Sequence, residues 1–150
     1  MMLEKIKHFF DRHIALTEPN GDSEDKLKTA SAALLIEMMH TEEAGANEKQ
    51  QLILTLLENS FSLTEEQANT LMAYADHQRR QATDYFEFTH LICNAYTHDQ
   101  KIQLIESMWK IAFVDNNLDM DEEYLVDKIA RLLYITHAEV LHVKNRTRGY

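Results

Sequence analysis

Apolar residues recur along this chain at intervals of three and four, the spacing of a helix with one buried face. Leu3, Ile6, Phe9, Phe10 and Ile14 form the earliest stripe, with Glu4, Lys5, Lys7 and Asp11 opposite. The breaker segment Thr17-Glu18-Pro19-Asn20-Gly21-Asp22-Ser23 then sets that stripe apart from everything downstream. From Asp22 or Ser23 to about Thr41, Leu27, Ala30, Ala33, Leu34, Ile36 and Met38 mark a helix. Its second half is apolar nearly all round, which predicts a central position. Further helices are predicted from Asn47 to near Ser60, and from Thr64 through Ala75. Others open at Asp84 (Phe88, Ile92), Asp99 (Leu104, Met108, Trp109), Asp119 (Leu125, Ile129, Leu133) and Thr136 (Val140, Val143). The expected fold is all-α: one compact helical domain, residues 20–150, of about seven to eight helices. Residues 1–19 are expected to form an appended helix and linker.

The punctuation between these segments repeats. Asn47 with Gln50 and Asp119 with Glu122 are N-cap patterns whose first residues lie 72 apart (119 − 47). Thr64-Glu65-Glu66-Gln67 and Thr136-His137-Ala138-Glu139 are two capping boxes at the same offset (136 − 64). At that spacing Ile36 meets Met108, Ile53 meets Leu125, Leu57 meets Ile129 and Phe61 meets Leu133. Matched caps together with matched apolar positions predict an internal two-fold duplication, each copy bending through an acidic loop into a new helix.

Composition narrows the function classes. The chain has 150 residues, 45% hydrophobic and 27% charged, within the range of ordered globular proteins. Three glycines and one proline argue against a sandwich, a barrel or a phosphate-cradling glycine loop. A net charge of −10 repels phosphate backbones, so nucleic acid is not an expected partner. Its basic groups of note are Arg79-Arg80 and a tail of Lys144, Arg146 and Arg148, read as a solvated end. A single cysteine, Cys93, fits a reducing compartment, and no apolar run approaches membrane-spanning length. The expected location is the cytoplasm; the oligomeric state is left open.

Candidate chemistry concentrates in Asp115-Asn116-Asn117-Leu118-Asp119-Met120-Asp121-Glu122-Glu123. Helix-start chemistry accounts for Asp119 and Glu122, because acids in a first turn meet the positive end of the helix dipole. Asp115 and Asn117 are oxygen donors beyond that need. An EF-hand is excluded, since its sixth position would be Met120 and its twelfth Val126. A less regular divalent-cation site remains as the candidate, with Asp115, Asn117, Asp119, Glu122 and Glu123 as ligands. Glu43 stands where Asp115 stands in the second copy, and His40, three residues earlier, shares its helical face, a spacing compatible with shared metal coordination that makes both further candidate ligands. The eight histidines show no zincin spacing, Cys93 lies in an apolar stretch as an inert thiol, and no nucleophile elbow or dinucleotide fingerprint occurs. No enzymatic activity is expected.

The run Ala112-Phe113-Val114-Asp115-Asn116-Asn117-Leu118-Asp119 with Glu122 or Glu123 resembles the motif of the TerB-like family, associated with bacterial tellurite resistance. Glu43-Ala44-Gly45-Ala46-Asn47 with Gln50 is its degenerate counterpart, and the resemblance covers about residues 24 to 145. Asn116 replaces the family's usual glycine, and asparagine tolerates left-handed backbone. The resemblance implies a helical scaffold tied to stress responses and suspected of binding cations, without catalysis. Two readings follow. The first is a binding module with a weak divalent-cation site in the acidic loop. The alternative is a metal-free structural adaptor that engages a protein partner through the inter-repeat groove or the N-terminal helix.

Overall fold

The computed structural model describes residues 21–40, 46–114 and 118–148. Seven α-helices occur among them: α1 (Gly21–Glu37), α2 (Ala46–Phe61), α3 (Glu65–Gln81), α4 (Phe86–Ala95), α5 (His98–Phe113), α6 (Met120–Leu132) and α7 (His137–Arg148). A 3-10 turn, Met38–His40, continues α1, and no strand is found among the described residues. The fold is all-α, as the periodicity predicts. The helix expected over the first residues lies outside the described part.

Local chemistry sets the helix ends. Thr64 and Thr97 each head a full capping box: the Thr Oγ1 accepts from the backbone N–H of Gln67 or Gln100, and that glutamine's Oε1 accepts from the Thr backbone N–H. The box at Thr97 moves the start of α5 two residues ahead of Asp99, the start expected from sequence; the pattern Thr97-x-x-Gln100 was there to be read. The start of α4 also shifts, to Phe86, because Asp84 Oδ1 accepts from Phe86 N at 3.0 Å, within a turn preceding the helix. Removing the Thr97 hydroxyl in Thr97→Ala should cost about 1 kcal/mol, measurable as a lower urea midpoint at unchanged m-value.

Helices α2 and α6 end alike. Ser62 and Tyr134 take positive φ, 53° and 61°, and sit 72 residues apart (134 − 62). After each, a backbone N–H reaches five residues back, Leu63 to Glu58 at 3.0 Å and Ile135 to Ala130 at 2.9 Å, closing a left-handed C-terminal cap. Asn47 breaks the parallel, lying inside α2 where Asp119 stands just outside α6. These matched ends are what a duplication would leave, and a duplication further predicts that residues 46–75 superpose on residues 118–147.

The core forms around α1. Ala30, Ala32, Ala33, Leu34, Leu35 and Ile36 are all buried, so every face of this half of the helix meets protein. It packs chiefly on α3 and α4, and also on α2 and α5. Helix α5 lies against α7 and buries Ile105, Met108, Trp109 and Ile111. Arg79 ties α3 to the end of α1, bonding Asp76 at 2.9 Å and Glu37 at 3.0 Å, while Arg80 also pairs with Asp76. Burial works against ionised Asp76, but hydrogen bonds from Arg79 and Arg80 hold its carboxyl below the ordinary value. The Arg79-Arg80 pair is thus compensated internally.

The basic tail keeps Arg146 and Arg148 exposed, as expected from sequence, yet it is tied to neighbouring helices. Lys144 lies over the Trp109 ring at 5.5 Å and pairs with Glu123; Arg148 lies over Phe113 at 5.4 Å, and Arg146 bonds Glu106 at 2.9 Å. Long cationic side chains cover aromatic surface with their stems and face the rings with their charge. Lys144 and Arg148, one turn apart, and Arg146 between them thus all reach α5 or α6.

Candidate functional site

The acidic corner opens α6. Asp119, extended at φ −100° and ψ 170°, accepts from the Glu122 backbone N–H at 2.8 Å and caps the helix. The reciprocal half of the expected capping box does not form. The Glu122 side chain turns inward instead, and its Oε2 accepts from Lys49 Nζ of α2 at 3.4 Å. Both side chains are 0% exposed. The other carboxylate oxygen, Oε1, is buried with no hydrogen-bond partner among the described residues.

The helical stripes explain why two ionisable residues lie in the interior. Lys49 shares a face with Ile53 and Leu57, and Glu122 shares one with Val126, Ile129 and Leu133, all of them buried. Each charge sits where the pattern would place an apolar residue, at the first turn of its helix. Glu122 there gains from the dipole and Lys49 loses by it, so only Glu122 offsets the burial of Lys49.

Burial pushes the Glu122 carboxyl up to about 7; Lys49 works against the rise and the nearby Asp119 carboxylate adds to it. Because the folded value exceeds the ordinary 4.5, the stability contributed by protonated Glu122 is fully present below pH 4.5. It is lost as pH rises through about 7. The loss amounts to roughly 3 kcal/mol. A Glu122→Gln variant should flatten the pH dependence of stability across that window, as read from urea midpoints at several pH values.

The other candidate ligands are placed as follows. Glu123 pairs with Lys144 of α7. His40 ends the 3-10 turn, with its side chain outside the described residues; Glu43, Asp115 and Asn117 lie outside them altogether. Among the described residues no group of three or more His, Cys, Asp or Glu side chains converges on one point. The described part of the corner thus supplies Asp119 and Glu122, with a lysine that sequence reasoning did not single out.

A second concave surface, about 260 Å³, lies where α1 and α2 meet α5. Leu35, Leu57, Phe61 and Leu104 form its apolar walls, and the Ser31 and Tyr96 hydroxyls meet across it at 2.8 Å. On the outer face of α6, Met120 and Tyr124 are exposed one turn apart. Cys93 is half-buried, its Sγ 3.3 Å from the Leu132 carbonyl oxygen, a contact of packing. No described helix is long and apolar enough to cross a membrane.

Residues 28–145 match the family described as Tellurite resistance protein TerB. No curated protein and no solved structure matches the chain.

Proposed function

The chain belongs to the TerB family, and on that premise we propose that it is a non-enzymatic binding module of a bacterial, cytoplasmic stress response. Its recognition point is a weak divalent-cation site in the corner at the start of α6. The supporting observation is the Glu122 carboxylate, wholly buried with one oxygen lacking a partner, beside the Asp119 carboxylate. Hard divalent cations take carboxylate oxygens, loop carbonyls and water in irregular sets of this kind. Asp119 and Glu122 are the protein donors we assign, with Asp115 and Asn117 as further ones from the adjoining loop. Glu123, tied to Lys144, drops out of the set.

Titration with calcium, magnesium, manganese and zinc tests this reading, with Trp109 fluorescence and melting temperature as readouts. An ion that binds only the folded state raises the melting temperature as its concentration rises. The expected result is such a rise for at least one ion, lost in Asp115→Ala plus Asp119→Ala. No rise with any ion, or an equal rise in the double variant, overturns it.

The groove between α1, α2 and α5 and the exposed Met120 and Tyr124 favour a second reading, a metal-free adaptor for a protein partner. Under that reading Ser60→Arg, at the exposed rim of the groove, abolishes partner capture while metals have no effect.

A further inference from the structure

We infer that the Lys49 ammonium is the resident cation of the acidic corner, and that it sets how tightly a divalent ion can bind there. The inference rests on the cation reading above and deepens it. Lys49 carries three N–H donors into a fully buried position and, among the described residues, meets one acceptor, Glu122 Oε2, at the long distance of 3.4 Å. Glu122 in turn offers two oxygens and has one of them bare. Both partners are therefore under-coordinated in a place without water contact, where unmet polar groups are costly.

Charge makes the same point. The Glu122 and Asp119 carboxylates lie close enough to repel one another, and Lys49 supplies a single positive charge against them. Its ammonium ends a flexible four-carbon stem rooted in the first turn of α2, so it can leave without unwinding either helix. A divalent ion would bring two charges and use both Glu122 oxygens. It would have to displace Lys49 or bind beside it against its repulsion. Lys49 is thus an affinity-setting residue, and the site is weak in the natural chain because its first place is taken.

The test compares manganese binding, by electron paramagnetic resonance of the free ion, in the wild-type chain, Lys49→Met, Lys49→Gln and Lys49→Met plus Glu122→Gln. The neutral glutamine variant guards against loss of folding in the methionine variant, and circular dichroism checks each. With Lys49 neutralised, manganese should bind at least about tenfold tighter, one unit charge at contact distance being worth that much or more. The gain should vanish when Glu122→Gln is added. Binding in both neutral variants no tighter than wild type, where wild type does bind, overturns the inference and leaves the cation reading standing. No binding in wild type but binding in the neutral variants supports the inference and overturns the cation reading for the natural chain. No binding in any of them overturns both.

Discussion

Lys49→Met should lower stability by about 3–5 kcal/mol at pH 8, because it leaves the Glu122 carboxylate buried without a counter-charge. For a domain of this size that corresponds to a fall in melting temperature on the order of 10 °C. The loss should shrink toward pH 5, below the value near 7 at which Glu122 takes up its proton. There the wild-type chain already holds a lysine opposite a neutral acid. Adding Glu122→Met should recover most of the loss, since an apolar pair of similar volume often matches or exceeds a buried ion pair. Urea unfolding of the two single variants and the double variant at pH 5 and pH 8 gives the coupling directly. A single-variant loss that is the same at both pH values would mean that Lys49 acts by packing its stem.

Trp109→Ala carries the second large effect, about 3–5 kcal/mol, from an interior void and lost contacts. Trp109 is 1% exposed, stacks on Phe113 with ring centres 5.7 Å apart, and lies under Lys144 of α7. Its loss should loosen α7 more than α3, and hydrogen exchange should show that asymmetry. Trp109→Phe should cost less than half as much. It keeps apolar volume and removes an indole N–H that is buried without a partner, which itself costs about 1–3 kcal/mol. Equal exchange rates in α3 and α7 of Trp109→Ala would mean that Trp109 does not hold α7 in place.

The helices were legible because their signals are local. The apolar half of α1, the Thr64 and Thr136 caps and the Asp119 cap all stand in short windows, and each is found where its window places it. The misplaced starts of α4 and α5 have local causes too, an Asp84 turn and an overlooked Thr97 cap. The site was harder to read because its decisive contact is not local. Glu122 reads as the far half of a capping box, a pattern that needs only three residues. It departs from that pattern because Lys49, 73 residues away, reaches it through the core. The signal existed in each helix separately: a lysine in register with Ile53 and Leu57, an acid in register with Val126 and Ile129. Two opposite charges on two apolar stripes imply one another, but nothing short of the packing of α2 near α6 pairs them. The contacts of the basic tail are non-local likewise: Lys144, Arg146 and Arg148 reach Trp109, Glu123, Glu106 and Phe113 of other helices.

The account turns on a carboxylate held out of water against a lysine at the corner that opens α6. Carbon-13 resonance of the Glu122 side-chain carboxyl, followed from pH 3 to pH 9, reports its proton directly. The expected midpoint is near 7, moving higher still in Lys49→Met. A midpoint at the ordinary 4.5, unmoved by that substitution, would contradict it.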